Sequence, residues 1–239
     1  EKFFGSQNDV CIFVIMISSL KNNNSLYNHY SHFLRQRYSG QRVYKIIVDA
    51  GFSCPNRDGS KGYGGCAYCN VDSFTPETRT LPSIRQQIEE SAARARKNYQ
   101  AEKFILYFQP NTNTYASTRM LKELYDEVLS VMPQDVVGLS VGTRPDCLDP
   151  EKINLLKSYC RDDFFVDIEM GMESVYNETL ARINRQCSHE DFVHALELLK
   201  DTPLEVCVHT IFGLPGETKE MMLSYIDEIN RLEKIKYIK

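Results

Sequence analysis

Cys54-Pro55-Asn56-Arg57-Asp58-Gly59-Ser60-Lys61-Gly62-Tyr63-Gly64-Gly65-Cys66-Ala67-Tyr68-Cys69 places three thiols within sixteen positions, directly after the β-branched run Val43 to Asp49. The glycines inside it supply the backbone freedom that a loop needs to wrap a small group. Cys66 and Cys69 have the two-residue spacing that lets both sulfurs reach one centre, and Cys54 adds a third ligand. A structural zinc site is normally closed by four protein ligands, so zinc here needs His29, His32 or a distant group as well. A three-cysteine [4Fe-4S] cluster instead leaves one iron open to substrate or cofactor. A redox disulfide between Cys66 and Cys69 is the third reading of the same residues.

Outward from this loop, short β-branched or aromatic runs alternate with longer segments of helical period, the pattern of repeated βα units around a parallel sheet. Strands are predicted over Val43–Asp49, Lys103–Phe108, Val136–Val141, Phe164–Met170 and Leu204–Phe212, and a sixth begins at Lys236. Ile84, Ile88, Ala92, Ala95 and Tyr99 mark one amphipathic helix; Leu121, Leu124, Tyr125 and Val128 mark another. Asp149-Pro150 reads as an N-cap with proline at the first helical position, and Ser188 with Asp191 as a capping box. Six such units form either a partial barrel or an open doubly wound sheet, and periodicity does not separate the two. Both gather chemistry at strand C-termini, where Cys54, Gln109, Arg144, Glu173 and Gly213 fall. Alternation along Phe164–Ser174 sets Glu169, Gly171 and Glu173 on one face and Val166, Ile168, Met170 and Met172 on the other. Two carboxylates facing inward point to a polar site; facing outward they are a solvated edge.

A length of 239 residues suits one domain, and 42% apolar with 25% charged residues excludes a disordered chain. The net charge of -4 offers no general grip on phosphate backbones, which excludes generic nucleic-acid binding and leaves a specific RNA substrate open. Eight cysteines, three of them packed into one loop, are unlike a secreted disulfide scaffold and point to a reducing, cytoplasmic compartment. The apolar run Val10–Ile17 is far short of the roughly 20 residues that span a bilayer. With Asp9 before it, it is also a poor signal peptide, so no membrane association is expected. The chain starts at Glu1 and stops at Lys239 inside a strand-like run. Residues 1–24 therefore read as a leader of unclear status, and residues 25–239 as a core domain incomplete at its C-terminus.

Cys54, eleven residues, Cys66, two residues and Cys69, with Tyr68 before the last cysteine, resemble the radical S-adenosylmethionine superfamily. The phrase from Ala50 to Gly59 narrows the resemblance to its YhcC-like group, relatives of the Elongator catalytic subunit, and the likeness runs from about Tyr30 to the C-terminus. It implies an α/β fold, a partial (β/α)6 TIM-like barrel truncated at the C-terminus. It further implies a [4Fe-4S] cluster on Cys54, Cys66 and Cys69, with S-adenosylmethionine bound at the open iron and cleaved reductively to a 5'-deoxyadenosyl radical. Tyr68 joins the cofactor-contacting set. Glu173 is implied near the ribose hydroxyls, Arg185 or its neighbour Arg182 on the methionyl carboxylate, and the backbone of Ile211 to Gly213 at the adenine. Gln109 stands where the family has its Gly-Gly-Glu motif for the amino group, and Gly142 where Elongator-type relatives have glutamate. His209 reads as either a core histidine or a site residue. Implied partners are an electron donor such as flavodoxin or ferredoxin and an unknown substrate, with tRNA suggested by the Elongator kinship. A zinc-stabilised binding module and an electron-transfer iron-sulfur protein are the competing functions.

Overall fold

The structure, a computed structural model, describes residues 13–14, 28–70 and 82–239. Apart from Phe13 and Val14, the leader expected over residues 1–24 lies outside the described residues. In chain order the elements are β1 (Phe13–Val14), β2 (Asn28–His29), α1 (Tyr30–Arg37), β3 (Val43–Val48), α2 (Ile84–Tyr99), β4 (Lys103–Phe108), α3 (Thr118–Val131), β5 (Val136–Thr143), α4 (Pro150–Lys157), β6 (Phe165–Glu173), α5 (Asn177–Arg182), α6 (His189–Leu199), β7 (Glu205–Thr210), α7 (Lys219–Arg231) and β8 (Tyr237–Ile238). β1 and β2 form a small antiparallel pair.

β3 to β8 form one sheet in strict sequence order, with every neighbouring pair parallel. A doubly wound sheet reverses its strand order at a switch point. None occurs here, so the alternative left open by periodicity falls to the barrel. The curl is visible in side chains. Lys45 on β3 and Lys239 just beyond β8 both bond the carboxylate of Glu169 on β6. Both ammonium groups also lie over the ring of Tyr107, at 4.7 and 5.0 Å from its centroid. In a flat sheet the two edges would stand about 24 Å apart, at roughly 4.8 Å per strand.

Strand alternation sorts the residues into two environments. Outward positions such as Phe104, Leu106, Val141, Ile168 and Val208 pack with Ile88 and Ala92 of α2, Leu121 and Tyr125 of α3, and Phe192 and Leu196 of α6. These are the helix faces that the sequence period marks. Inward positions carry Lys45, Tyr107, Asp167 and Glu169. The barrel's lower end is closed by Tyr30, Phe33 and Leu34 of α1, packed on Ile105, Val137, Phe165 and Tyr237. Asp149 accepts from the Lys152 amide at 2.9 Å, and Ser188 with Asp191 forms the reciprocal capping box. Three strand limits differ from expectation by two residues or more, the first being β5, which runs on to Thr143. β6 continues past Met170 to Glu173, and β7 stops at Thr210 because the Ile211 amide turns to donate to the Glu173 carbonyl at 3.0 Å.

The inward charges sit at opposite ends of the acidity scale. Burial alone would raise the Glu169 carboxyl, but Lys45, Lys239 and the hydrogen bond from His209 outweigh it and hold it well below the usual carboxylate range. At Asp167 complete burial wins over Lys45, 3.9 Å away, and pushes the carboxyl up to about 6. Both Asp167 oxygens lack a hydrogen-bond partner among the described residues. Glu169→Ala strands two ammonium groups in the interior, and an unfolding titration should show a loss of about 3–5 kcal/mol. Asp167 is more acidic unfolded, at about 3.9, than folded, so its ionisation costs stability as pH rises through that interval. Asp167→Asn should therefore melt above the wild type at pH 8, with the gain gone by pH 4; equal melting curves at pH 8 would contradict the assignment.

Candidate functional site

The three-cysteine loop follows β3 at the C-terminal mouth of the barrel. Its first turn is closed by the Arg57 and Asp58 amides donating to the Cys54 carbonyl at 2.8 and 3.2 Å, and its last by the Cys69 amide donating to the Cys66 carbonyl at 2.9 Å. All three cysteines are free thiols, Cys66 buried and the others half-buried. Donors point at the buried sulfur: Asn56 Nδ2 lies 3.5 Å and Arg185 Nη1 3.8 Å from Cys66 Sγ. Arg57 Nη2 donates to the Cys69 carbonyl at 2.7 Å, while Arg57 Nε and Asn56 Oδ1 are buried without a hydrogen-bond partner among the described residues. Soft sulfur ligands surrounded by N–H donors suit an anionic, sulfur-rich group.

Zinc fits less well. A zinc ion about 2.3 Å from each sulfur would hold them within about 4 Å of one another. The described residues contain one set of three or more metal-ligating atoms within 4.8 Å, namely Glu169, Cys207 and His209, and the cysteine trio is not such a set. His32 sits on α1, below the strand starts and paired with Gln36 at 3.0 Å, and His29 is its N-cap residue. Neither can close a site at the opposite end of the barrel.

The loop is fastened to the turn Ile183–Gln186. The Ala67 amide donates to the Ile183 carbonyl at 2.9 Å, Asn56 Nδ2 to the Asn184 carbonyl at 2.6 Å, and Asn184 Nδ2 to the Gly65 carbonyl at 2.9 Å. Asn184 and Gln186 both adopt positive φ, 54° and 50°, and Arg185 stands between them. Such conformations cost non-glycine residues of order 1 kcal/mol each and persist where surrounding contacts enforce them. They aim the Arg185 side chain into the mouth, where Nη2 donates to the Gly171 carbonyl at 2.8 Å and lies 3.7 Å from Glu173 Oε1. Burial would lower the Arg185 ionisation, but Glu173 outweighs it and keeps the guanidinium charged. Glu173 has φ of 62° at a β-bulge, another enforced conformation. The exposed Tyr68 turns its hydroxyl toward Glu173, and burial of that end with the nearby carboxylate pushes its ionisation up.

Other expected residues lie around this centre. Gln109 follows β4, half-buried at the mouth. Ile211 is half-buried against Leu180, Ile183 and Leu214, and Gly213, at φ of 83°, is open to solvent with its amide 3.1 Å from Met222 Sδ. Arg182 is exposed and donates to the Pro215 carbonyl, whereas Arg185 is buried against Gly171 and Glu173. His209 lies lower, 2.8 Å from Glu169.

Two residues hold these in place: Arg144, which the sequence marked only as a polar residue at a strand end, and Asn113, which sequence reasoning missed. Arg144, fully buried, donates through Nη1 and Nη2 to the Arg185 and Gln186 carbonyls at 2.9 and 2.8 Å, and pairs with Asp146 at 2.9 Å. Asp146 in turn accepts from Lys61 of the cysteine loop at 2.6 Å. Asn113 Nδ2 donates to the Phe108 and Gly142 carbonyls at 3.0 and 2.9 Å, joining the ends of β4 and β5. The signal available in the sequence for Asn113 was the run of small polar residues Thr112-Asn113-Thr114, four residues past the end of a strand.

A model of the radical SAM superfamily matches residues 54–229. Protein YhcC of Escherichia coli K12 is 37% identical over 204 residues, covering 85% of this chain, and the chain spans 64% of that relative's length. A tRNA uridine(34) acetyltransferase of Methanocaldococcus infernus is 37% identical over 93 residues, 39% of this chain and 17% of that protein. The archaeal Methanocaldococcus infernus Elp3 with an N-terminal deletion superposes with a TM-score of 0.55 at 21% identity, over 78% of this chain and 42% of that one. No helix among the described residues is long and apolar enough to cross a membrane.

Gly171 is where the mouth has no slack: a methyl there would come within 2.1 Å of Glu173 Oε1 and 2.7 Å of Arg185 Nη2. Gly171→Ala should cost about 1–3 kcal/mol in urea unfolding, and an unchanged midpoint would show that Arg185 and Glu173 are not held against this backbone.

Proposed function

The chain belongs to the radical SAM superfamily, whose members use a [4Fe-4S] cluster and S-adenosylmethionine, and we propose that Cys54, Cys66 and Cys69 hold that cluster in an enzyme of radical chemistry. The observation that carries the reading is the convergence at one mouth of three free thiols, N–H donors aimed at Cys66 Sγ, and the buried Arg185–Glu173 pair. Held by these thiolates, the cluster would supply the electron for reductive cleavage of S-adenosylmethionine to a 5'-deoxyadenosyl radical.

The chain's own residues orient and enclose. Arg185 presents a planar fork suited to the methionyl carboxylate, and Gly171 lets that fork approach the strand backbone. Glu173 and the Tyr68 hydroxyl offer partners to the ribose hydroxyls, Gln109 to the amino group, and the backbone from Ile211 to Gly213 a flat edge to the adenine. Arg144 fixes the backbone that carries Arg185. The seven free cysteines among the described residues suit a reducing, cytoplasmic setting and a flavodoxin- or ferredoxin-class electron donor. Similarity to a tRNA-modifying protein supports an RNA substrate, for which incubation of the reconstituted protein with fractionated tRNA and mass spectrometry of the nucleosides is the test.

Anaerobically reconstituted protein should bind about four irons. Cys54→Ala, Cys66→Ala and Cys69→Ala should each abolish this, while Cys160→Ala retains it; iron kept by all three loop variants would overturn the assignment. Arg185→Gln should weaken S-adenosylmethionine binding roughly 10- to 150-fold, equivalent to about 1.5–3 kcal/mol, with Arg185→Lys recovering only part of the loss. Anaerobic titration decides, and affinity unchanged in Arg185→Gln would remove the arginine from the site.

A further inference from the structure

Below the mouth, the barrel interior holds a second set of charged groups that the proposed cofactor contacts leave unused. Glu169 precedes Glu173 by four residues on β6, about 13 Å down the strand. Its carboxylate is bonded by Lys45 from β3, by His209 from β7 at 2.8 Å and by Lys239 after β8 at 3.3 Å. Tyr107 from β4 lies under both ammonium groups.

This set is polarised. The Glu169 and Asp167 side chains are 1% exposed, whereas those of Lys45, Lys239 and His209 keep 16%, 15% and 28% of their surface. A molecule reaching this set therefore meets the two ammonium groups and the imidazole ring before the carboxylates behind them. Among the described residues the Lys239 ammonium, which carries three donors, has one side-chain acceptor, Glu169. Glu169, Cys207 and His209 do bring ligand atoms within 4.8 Å of one another, the grouping expected for a metal ion. Two ammonium groups bear on the Glu169 carboxylate, and burial opposes ionisation of Asp167, the other carboxylate beside Lys45, so the set favours an anion over a cation.

We propose that Lys45, His209 and Lys239 form a subsite inside the barrel for an acid-bearing molecule, a carboxylate or a phosphate monoester, and that this acid is the recognition group of the substrate. The assignment of the subsite to substrate rests on the reading of the mouth above it as the cofactor's seat. An acid anchored at this depth directs the rest of its molecule up toward that mouth.

The test follows the ring resonances of His209, assigned with His209→Gln, while succinate or inorganic phosphate is titrated into the protein at constant ionic strength. Saturable shifts with one anion are expected, and which anion acts distinguishes the carboxylate source from the phosphate source. Lys239→Gln should weaken that binding at least tenfold and Lys239→Arg restore it, with S-adenosylmethionine affinity unchanged within twofold. Rings unmoved by either anion, equal shifts with chloride, or full affinity in Lys239→Gln would overturn the subsite. Anion binding without any S-adenosylmethionine binding would leave the subsite standing and overturn the cofactor reading instead; the opposite pattern would do the reverse.

Discussion

One carboxylate holds the barrel in its curved form. Glu169 stands near the middle of a parallel sheet and receives Lys45 from one edge strand and Lys239 from the other end of the same sheet. Isolated ion pairs of this kind are poor sources of net stability, because desolvation consumes most of the attraction. Their value here is geometric. With the charges buried, any flattening of the sheet separates them at low dielectric, so the curl is enforced by the cost of the alternative. Tyr107, placed under both ammonium groups, adds cation–π attraction in the same direction.

Strain collects at the opposite level of the barrel. Glu173, Asn184 and Gln186 all take positive φ, and the first and the turn formed by the other two bring a carboxylate and a guanidinium together beside Cys66. Such a concentration of unfavourable backbone is expected where function dictates geometry and the surroundings bear the cost. The surroundings are identifiable: Arg144 grips two carbonyls of the turn, and Asn56 and Asn184 stitch the turn to the cysteine loop.

The strands were readable because their inward and outward residues differ so strongly. Phe104-Ile105-Leu106-Tyr107 and Val166-Asp167-Ile168-Glu169 mark a pleated sheet whatever its topology. The curl was legible through the family resemblance and not through periodicity, since it depends on Lys45 and Lys239 meeting across six strands, and nothing local to either lysine announces its partner. At the mouth, the cysteines and Glu173 stood out by spacing and by alternation. Arg144 stood out by its place at a strand end but its task did not, and Asn113 did not stand out at all, because both act on backbone carbonyls, and a carbonyl acceptor leaves no mark in a sequence. The end of β7 was misplaced for a related reason: Ile211 and Phe212 have strand-like side chains, but the Ile211 amide is taken by Glu173 across the bulge.

The cysteine loop begins at β3, on the sheet's edge, yet its hydrogen bonds reach the far side, through Lys61 to Asp146 after β5 and through Ala67 and Asn56 to the turn after β6. It therefore works as a strap across the rim. Among the described residues β3 and β8 are not paired with each other. Because the strap is buckled to the turn that carries Arg185, thiols and guanidinium ride together as one stiff unit.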